Sequence, residues 1–157
     1  MQRLYQFYQG KLASFLLRMV ASRHLVEEVF NDTMMVVWQQ SERFEGRSKV
    51  STWIYGIAYR QCLKRLEKEK KHRSDSPLQG EEQATEAANH DEVDLIKKAL
   101  TSLSAEHRSV IELSYYLGCD YAEIASIVGC PENTVKTRMF YARKKLKAVI
   151  SSLDVAV

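Results

Sequence analysis

The stretch from Asn133 to Lys144 carries amides, hydroxyls and cations at helical spacing, with no nucleophile set beside a base. Asn133, Lys136, Thr137, Phe140, Tyr141 and Lys144 share one face of such a helix, and Thr134, Arg138 and Arg143 are grouped with them. The chemistry open to that set is recognition, with hydrogen bonds to base edges and cations against phosphate oxygens. A second set mixes rings with cations: Phe44, Arg47, Lys49, Trp53, Tyr55, Tyr59, Arg60 and Lys64. Aromatic faces stack on unpaired bases for roughly 1–3 kcal/mol each while Lys and Arg follow the backbone, which suits single-stranded or melting DNA. The alternative is that Trp53 and one or both of Tyr55 and Tyr59 are simply core residues; for Trp53 a core position and a base contact fit the spacing equally well. A third set, Glu27, Glu28 and Asp32, is acidic. Metal-dependent phosphoryl transfer wants carboxylates converging in a pocket, whereas helical spacing spreads these over a surface suited to docking. No enzymatic activity is expected.

The remaining chemistry-bearing residues do not assemble into a site. Cys62, Cys119 and Cys130 are odd in number and lack a CxxC pair, and His24, His72, His90 and His107 have no ligand-like spacing. They read as ordinary residues of a reducing compartment, so no metal and no cofactor is expected. No run approaches the roughly 18 apolar residues of a membrane span. Met1 opens straight into an amphipathic pattern, which implies a cytoplasmic chain without membrane insertion.

The net charge of +3 over 157 residues conceals an uneven distribution. Ser74 to Asp94 holds Asp75, Glu81, Glu82, Glu86, Asp91, Glu92 and Asp94 with no Lys or Arg, leaving 23 basic against 13 acidic residues elsewhere. A basic body with an acidic belt points to a polyanionic partner.

The elements that must position these sets are helices. Six Gly, two Pro and apolar residues at helical rather than alternating steps predict an all-α chain with no strand. Leu4, Tyr8, Leu12, Phe15 and Met19 form one stripe; Leu25, Val29 and Val36, with Val26, Phe30 and Val37 beside them, form a second. Glu42 to Lys49 breaks the pattern, and Trp53, Ile54, Ile57 and Ala58 open a third helix running to about Lys71. The first domain is thus expected over 1–73. Residues 74–92 have little to bury and repel one another, which predicts a flexible acidic linker. A second domain is expected over 93–157, its first helix carrying Val93, Ile96, Leu100 and Leu103.

Asp120 followed by Glu123 is a capping box that fixes a helix start at Tyr121. Ile124, Ala125 and Val128 are expected inward, Gly129 supplies a left-handed stop, and Pro131 stands where a new helix begins. Val135, Met139, Ala142, Leu146 and Val149 continue the buried stripe of that second helix. Helix, short turn and helix with a basic outer face match a helix-turn-helix, whose second helix enters the major groove of DNA; the alternative is an ordinary helical hairpin with a solvated Lys/Arg face, which leaves the combined spacing of cap, small residue, Gly, Pro and cations without a purpose.

Three segments in order resemble those of one family, the extracytoplasmic-function (ECF) sigma factors. "LVEEVFNDTMMVVW" resembles the polymerase-binding helix, "FEGRSKVSTWIYGIAYR" the promoter-melting segment, and "LSAEHRSVIELSYYLGCDYAEIASIVGCPENTVKTRMFYARKKL" the upstream-element domain. The resemblance implies a sigma region 2 domain, a sigma region 4 domain, and two partners, core RNA polymerase and promoter DNA. It also leaves room for an anti-sigma factor. The polymerase contacts it implies are Glu27, Glu28, Phe30, Asp32 and Trp38. The minus-10 element falls to the ring-and-cation set and the minus-35 element to the Asn133–Lys144 set. Departures from the family pattern are Ala21, Ser22, Arg23 and His24 where acids are usual, Arg60 where Asn is usual, Tyr141 in place of Arg, and Ser104 in place of Pro. Ser is itself a good N-cap.

Two other classes compete. A dimeric helix-turn-helix regulator accounts for Asn133 to Lys147 but leaves the ring-and-cation segment and the acidic belt unexplained. A protein-only adaptor requires that DNA affinity be absent.

Overall fold

The computed structural model describes residues 2–20, 22–75 and 91–154, and the chain divides into two compact units. Among the described residues all regular structure is helical. The central part of the expected linker, 76–90, lies outside them.

In the first unit α1 (Gln2–Met19) buries Tyr8, Leu12, Phe15, Leu16 and Met19, the predicted stripe with Leu16 added. Leu4 is only half-buried. α2 (Arg23–Gln40) packs against both neighbouring helices. It buries Leu25, Val26, Val29, Phe30, Met34 and Val37, while Val36 is half-buried because one 100° step takes it off that face. Thr33 is also buried, and its hydroxyl donates to the Val29 carbonyl at 2.6 Å, so its polar group is not stranded in the core.

A single 3₁₀ turn, Ser41–Arg43, ends α2, with the Ser41 hydroxyl donating to the Trp38 carbonyl at 2.9 Å. Gly46 then takes φ +69°, a left-handed conformation that turns the chain into α3 (Val50–Asp75). Ile54, Ile57, Ala58 and Cys62 on α3 are buried. α3 continues past Lys71 to Asp75, and α4 (Asp91–Thr101) begins before Val93, so both ends of the expected linker are helical.

In the second unit α4 and α5 (Ala105–Ile111) both pack on the last helix, Glu132–Asp154. Ala99 and Leu103 are buried, whereas Ile96, expected on that stripe, is exposed. Ser104 caps α5 by accepting from the His107 amide at 3.3 Å. Arg108 reaches back to the end of α4 and donates to the carbonyls of Leu100 (3.0 Å), Thr101 (3.0 Å) and Leu103 (3.1 Å). Carbonyls at a helix end have no partner inside their own helix, and the cation also complements the negative end of its dipole.

α5 widens into a π-helical turn, Glu112–Tyr116, marked by the Leu117 amide donating to the Glu112 carbonyl at 3.1 Å. The extra residue in this turn rotates the chain beyond it and leaves Tyr115 on the surface. Gly118, at φ +69°, redirects the chain into α6 (Tyr121–Val128), and the last helix is α7 (Glu132–Asp154).

Arg108→Ala removes a three-carbonyl cap that water replaces poorly at a half-buried site. Hydrogen bonds to a charged group contribute about 1.5–3 kcal/mol. Urea unfolding of the full chain is expected to show a loss of that order, accompanied by faster hydrogen exchange in α4.

Candidate nucleic-acid and polymerase interfaces

The outward face of α7 is fixed by its inward one. Val135, Met139 and Ala142 are buried, and Leu146 and Val149 half-buried, so the opposite side of the helix presents Asn133, Lys136, Thr137, Phe140, Tyr141 and Lys144 to solvent. The lead-in is the predicted turn. The Asp120 carboxylate accepts from the Glu123 amide at 2.8 Å, and the Glu123 carboxylate accepts from the Asp120 amide at 3.0 Å. Gly129 closes α6 at φ 71°, ψ 39°, with its amide donating to the Ala125 carbonyl at 2.9 Å. Ile124 is buried as expected; Ala125 and Val128 are only half-buried, and Ile127 is buried.

Hydrogen bonds within α7 already engage part of this face. Lys136 pairs with Glu132 at 3.3 Å, and the Thr137 hydroxyl donates to the Asn133 carbonyl at 3.0 Å. Thr134 is half-buried. Arg138 departs from its expected place on the recognition face. Its guanidinium pairs with Glu106 of α5 at 3.2 Å and lies 3.8 Å from the Cys130 sulfur, leaving the side chain only 20% exposed. The cause is angular: Arg138 stands about 140° round the helix from Asn133, on the flank turned toward α5.

Arg143, on the other flank, donates to the Tyr121 hydroxyl at 3.3 Å and lies 5.7 Å from the centre of the Tyr115 ring. Desolvation opposes its charge, but the two tyrosines outweigh that and hold its pKa above the ordinary value. Tyr115 and Tyr121 were not among the expected site residues. The sequence signal for them was slight, aromatics flanking the capping box.

The ring-and-cation set of the first unit separates on folding. Phe44 and Trp53 are half-buried against each other, ring centres 5.0 Å apart, at the surface where the loop enters α3. Arg47, Lys49, Arg60 and Lys64 are exposed, Arg47 being paired with Glu45. Tyr55 and Tyr59 are buried, contrary to their assignment as base-stacking rings. Tyr55 sits edge-on to Tyr8 at 6.1 Å, and burial pushes the Tyr8 phenol up from its ordinary pKa. A helix with so many rings has to commit some of them to its core side.

On α2, Glu27, Asp32 and Trp38 are exposed, Trp38 by 62%. Phe30, expected at the polymerase surface, is a core residue packed edge-on to Tyr5 with ring centres 4.9 Å apart. Glu28 is half-buried and committed within the chain, paired with Arg65 of α3 and with His24 at 3.1 Å. Met35 is exposed three residues from both Asp32 and Trp38, a position that helical spacing makes legible.

No group of three or more His, Cys, Asp or Glu among the described residues could hold a metal ion. None of the described helices is long and apolar enough to cross a membrane.

A buried spine, a capped tight turn and an outer face of amide, hydroxyl and cationic groups define a DNA-binding helix-turn-helix protein. Its relatives specify more. Residues 4–72 match the family Sigma-70 region 2, and residues 94–146 match Sigma-70, region 4. The chain is 31% identical to the ECF RNA polymerase sigma factor SigL of Mycobacterium tuberculosis, over 99% of this chain and 91% of that protein. It is 26% identical to the ECF RNA polymerase sigma factor RpoE of Cereibacter sphaeroides, over 94% of this chain and 84% of that one. Among solved structures, the sigma factor RpoE in complex with the anti-sigma factor NepR from Bartonella quintana superposes with a TM-score of 0.80 at 26% identity, covering 96% of this chain and 98% of that chain. CnrH in complex with the cytosolic domain of CnrY shares the fold, with a TM-score of 0.71 at 20% identity over 96% of this chain and 87% of that one. The chain belongs to the ECF RNA polymerase sigma factors, alternative sigma factors that direct transcription initiation.

The committed position of Arg138 separates stability from recognition. Arg138→Ala is expected to lower the unfolding midpoint of the full chain modestly, since a partly exposed pair contributes about 1 kcal/mol or less. It should leave the order of preference among minus-35 sequences unchanged. A binding assay across single-base minus-35 variants checks this, and an altered base preference would return Arg138 to the reading face.

Proposed function

We propose that this sigma factor divides its work between the two units, with region 2 over 1–73 docking on polymerase and opening the minus-10 element, and region 4 over 93–157 reading the minus-35 element as duplex. The observation that carries this is the outer face of α7, where Asn133, Lys136, Thr137, Phe140, Tyr141 and Lys144 lie together on a helix whose opposite side is core. Asn133, Thr137 and Tyr141 are suited to base edges; Lys136, Arg143 and Lys144 are suited to phosphates.

Polymerase docking falls to the exposed face of α2, with Glu27 and Asp32 as its charges and Met35 and Trp38 as its apolar anchors. Glu28 serves the fold through Arg65. On the minus-10 side, Phe44 and Trp53 are the rings at the surface, with Arg47, Lys49, Arg60 and Lys64 for the backbone. Bases leave the duplex before they stack, so contacts made only after opening favour the open state. The chain works in the cytoplasm with polymerase and performs no catalysis of its own. The NepR complex of the Bartonella relative supports control by an anti-sigma factor here as well.

A dimeric regulator gives no role to the acid and Trp38 face of α2. Asp32→Lys together with Trp38→Ala is expected to weaken association with core polymerase at least tenfold while leaving urea unfolding of the free chain unchanged. Phe44→Ala and Arg60→Ala are expected to depress open-complex formation on duplex promoters far more than on templates with a pre-opened bubble, read by permanganate reactivity. Unchanged association, or equal defects on both templates, would overturn the respective assignment.

A further inference from the structure

Along one flank of α7 the structure opens a cleft lined by Lys136, Phe140, Arg143, Lys144 and Lys147, with Tyr121 from the start of α6 opposite them and Met139 at its base. Lys136, Arg143 and Lys147 are spaced by seven and four residues, a single column of positive charge up the helix. Among the described residues no acid lines the cleft.

Arg143 is held differently from the other cations of this helix with known partners. Lys136 is partly offset by Glu132, and on the opposite flank Arg138 is held by Glu106. Among the described residues Arg143 has no carboxylate partner. One of its terminal amino groups donates to the Tyr121 hydroxyl, and its guanidinium lies against the exposed Tyr115 ring. A guanidinium carries five donors in a planar fork. Held from one side by two tyrosines, it still has donors to offer an anion, and less side-chain freedom to lose in binding it.

We propose that Tyr121, aided by the Tyr115 ring, presets Arg143 to grip a backbone phosphate of duplex DNA at the edge of the minus-35 element. This rests on the reading of α7 as the minus-35 helix. Arg143 stands about 100° round the helix from Lys144. It therefore faces the wall of the groove when Asn133, Thr137 and Tyr141 face its floor, and a wall of the groove is phosphate. The ligand carries no base information, so Arg143 fixes register and affinity while its neighbours select sequence. Tyr121 is a positioning residue, acting on DNA through Arg143. The π-helical turn has a use in this arrangement, since it is the turn that leaves Tyr115 outward beside the guanidinium.

The test uses full-length protein bound to core polymerase and measures closed-complex affinity for promoter duplexes over a range of salt concentrations. Arg143→Ala is expected to weaken binding to all minus-35 sequences alike and to make the slope of log affinity against log salt shallower by about one. Arg143→Lys should restore the slope but not the full affinity. Tyr121→Phe, which deletes only the hydroxyl, should weaken binding roughly three- to tenfold in the parent chain and add nothing in the Arg143→Ala background. An unchanged salt slope for Arg143→Ala would overturn the phosphate contact, and an additive Tyr121→Phe effect would overturn the positioning role. Should Lys136→Ala and Asn133→Ala also bind as the parent does, the minus-35 reading of α7 falls with it; losses there alone would leave that reading standing and remove only the Arg143 proposal.

Discussion

The proposed reading of DNA by the second unit depends on the rotation of one helix, α7, about its own axis. Val135, Met139 and Ala142 set that rotation, because each is buried and each would be exposed if α7 rolled by a quarter turn. Fully burying an apolar side chain is worth about 1.5–3 kcal/mol, so the spine resists rolling far more strongly than any single surface contact. The Arg138–Glu106 pair and the Asp120–Glu123 box add restraint at the flank and at the entry turn. With the roll fixed, the groups proposed to read bases and those proposed to hold phosphates fall on adjacent strips of the same helix.

The first unit is organised the same way with different chemistry. α2 buries one face and leaves acids, Met35 and Trp38 on the other; α3 buries Ile54, Tyr55, Ile57, Ala58, Tyr59 and Cys62 and leaves cations outside. The Glu28–Arg65 pair ties these two helices, so one acid of the α2 face belongs to the fold. Each unit thus carries its own charged outer face on a thin core, and the proposed division of work makes core polymerase the scaffold on which two short DNA elements are read as one promoter.

Local rules were legible in the sequence, and long-range choices were not. The capping box, the Gly129 stop and the α7 spine depend on neighbours within four residues, so spacing alone located them. The all-helical class came from the same periodicity. Tyr55, Tyr59 and Phe30 were assigned to surfaces because rings beside cations resemble a nucleic-acid or docking face; which ring turns inward is decided by partners such as Tyr8 and Tyr5, far away in the chain. The pairing of Arg138 is illegible for the same reason, since Glu106 lies 32 residues earlier and no periodicity announces it. The Tyr115–Arg143–Tyr121 cluster was illegible because the π-helical turn that presents Tyr115 has no simple sequence signature.

The most direct test of the central claim is transcription in vitro by core RNA polymerase on a library of promoters, with and without this protein. The account predicts start sites that appear only when the protein is added, each preceded by the same pair of sequence elements at near-constant spacing. Initiation that is unchanged by the protein, or binding to DNA at symmetric half-sites without polymerase, would contradict it.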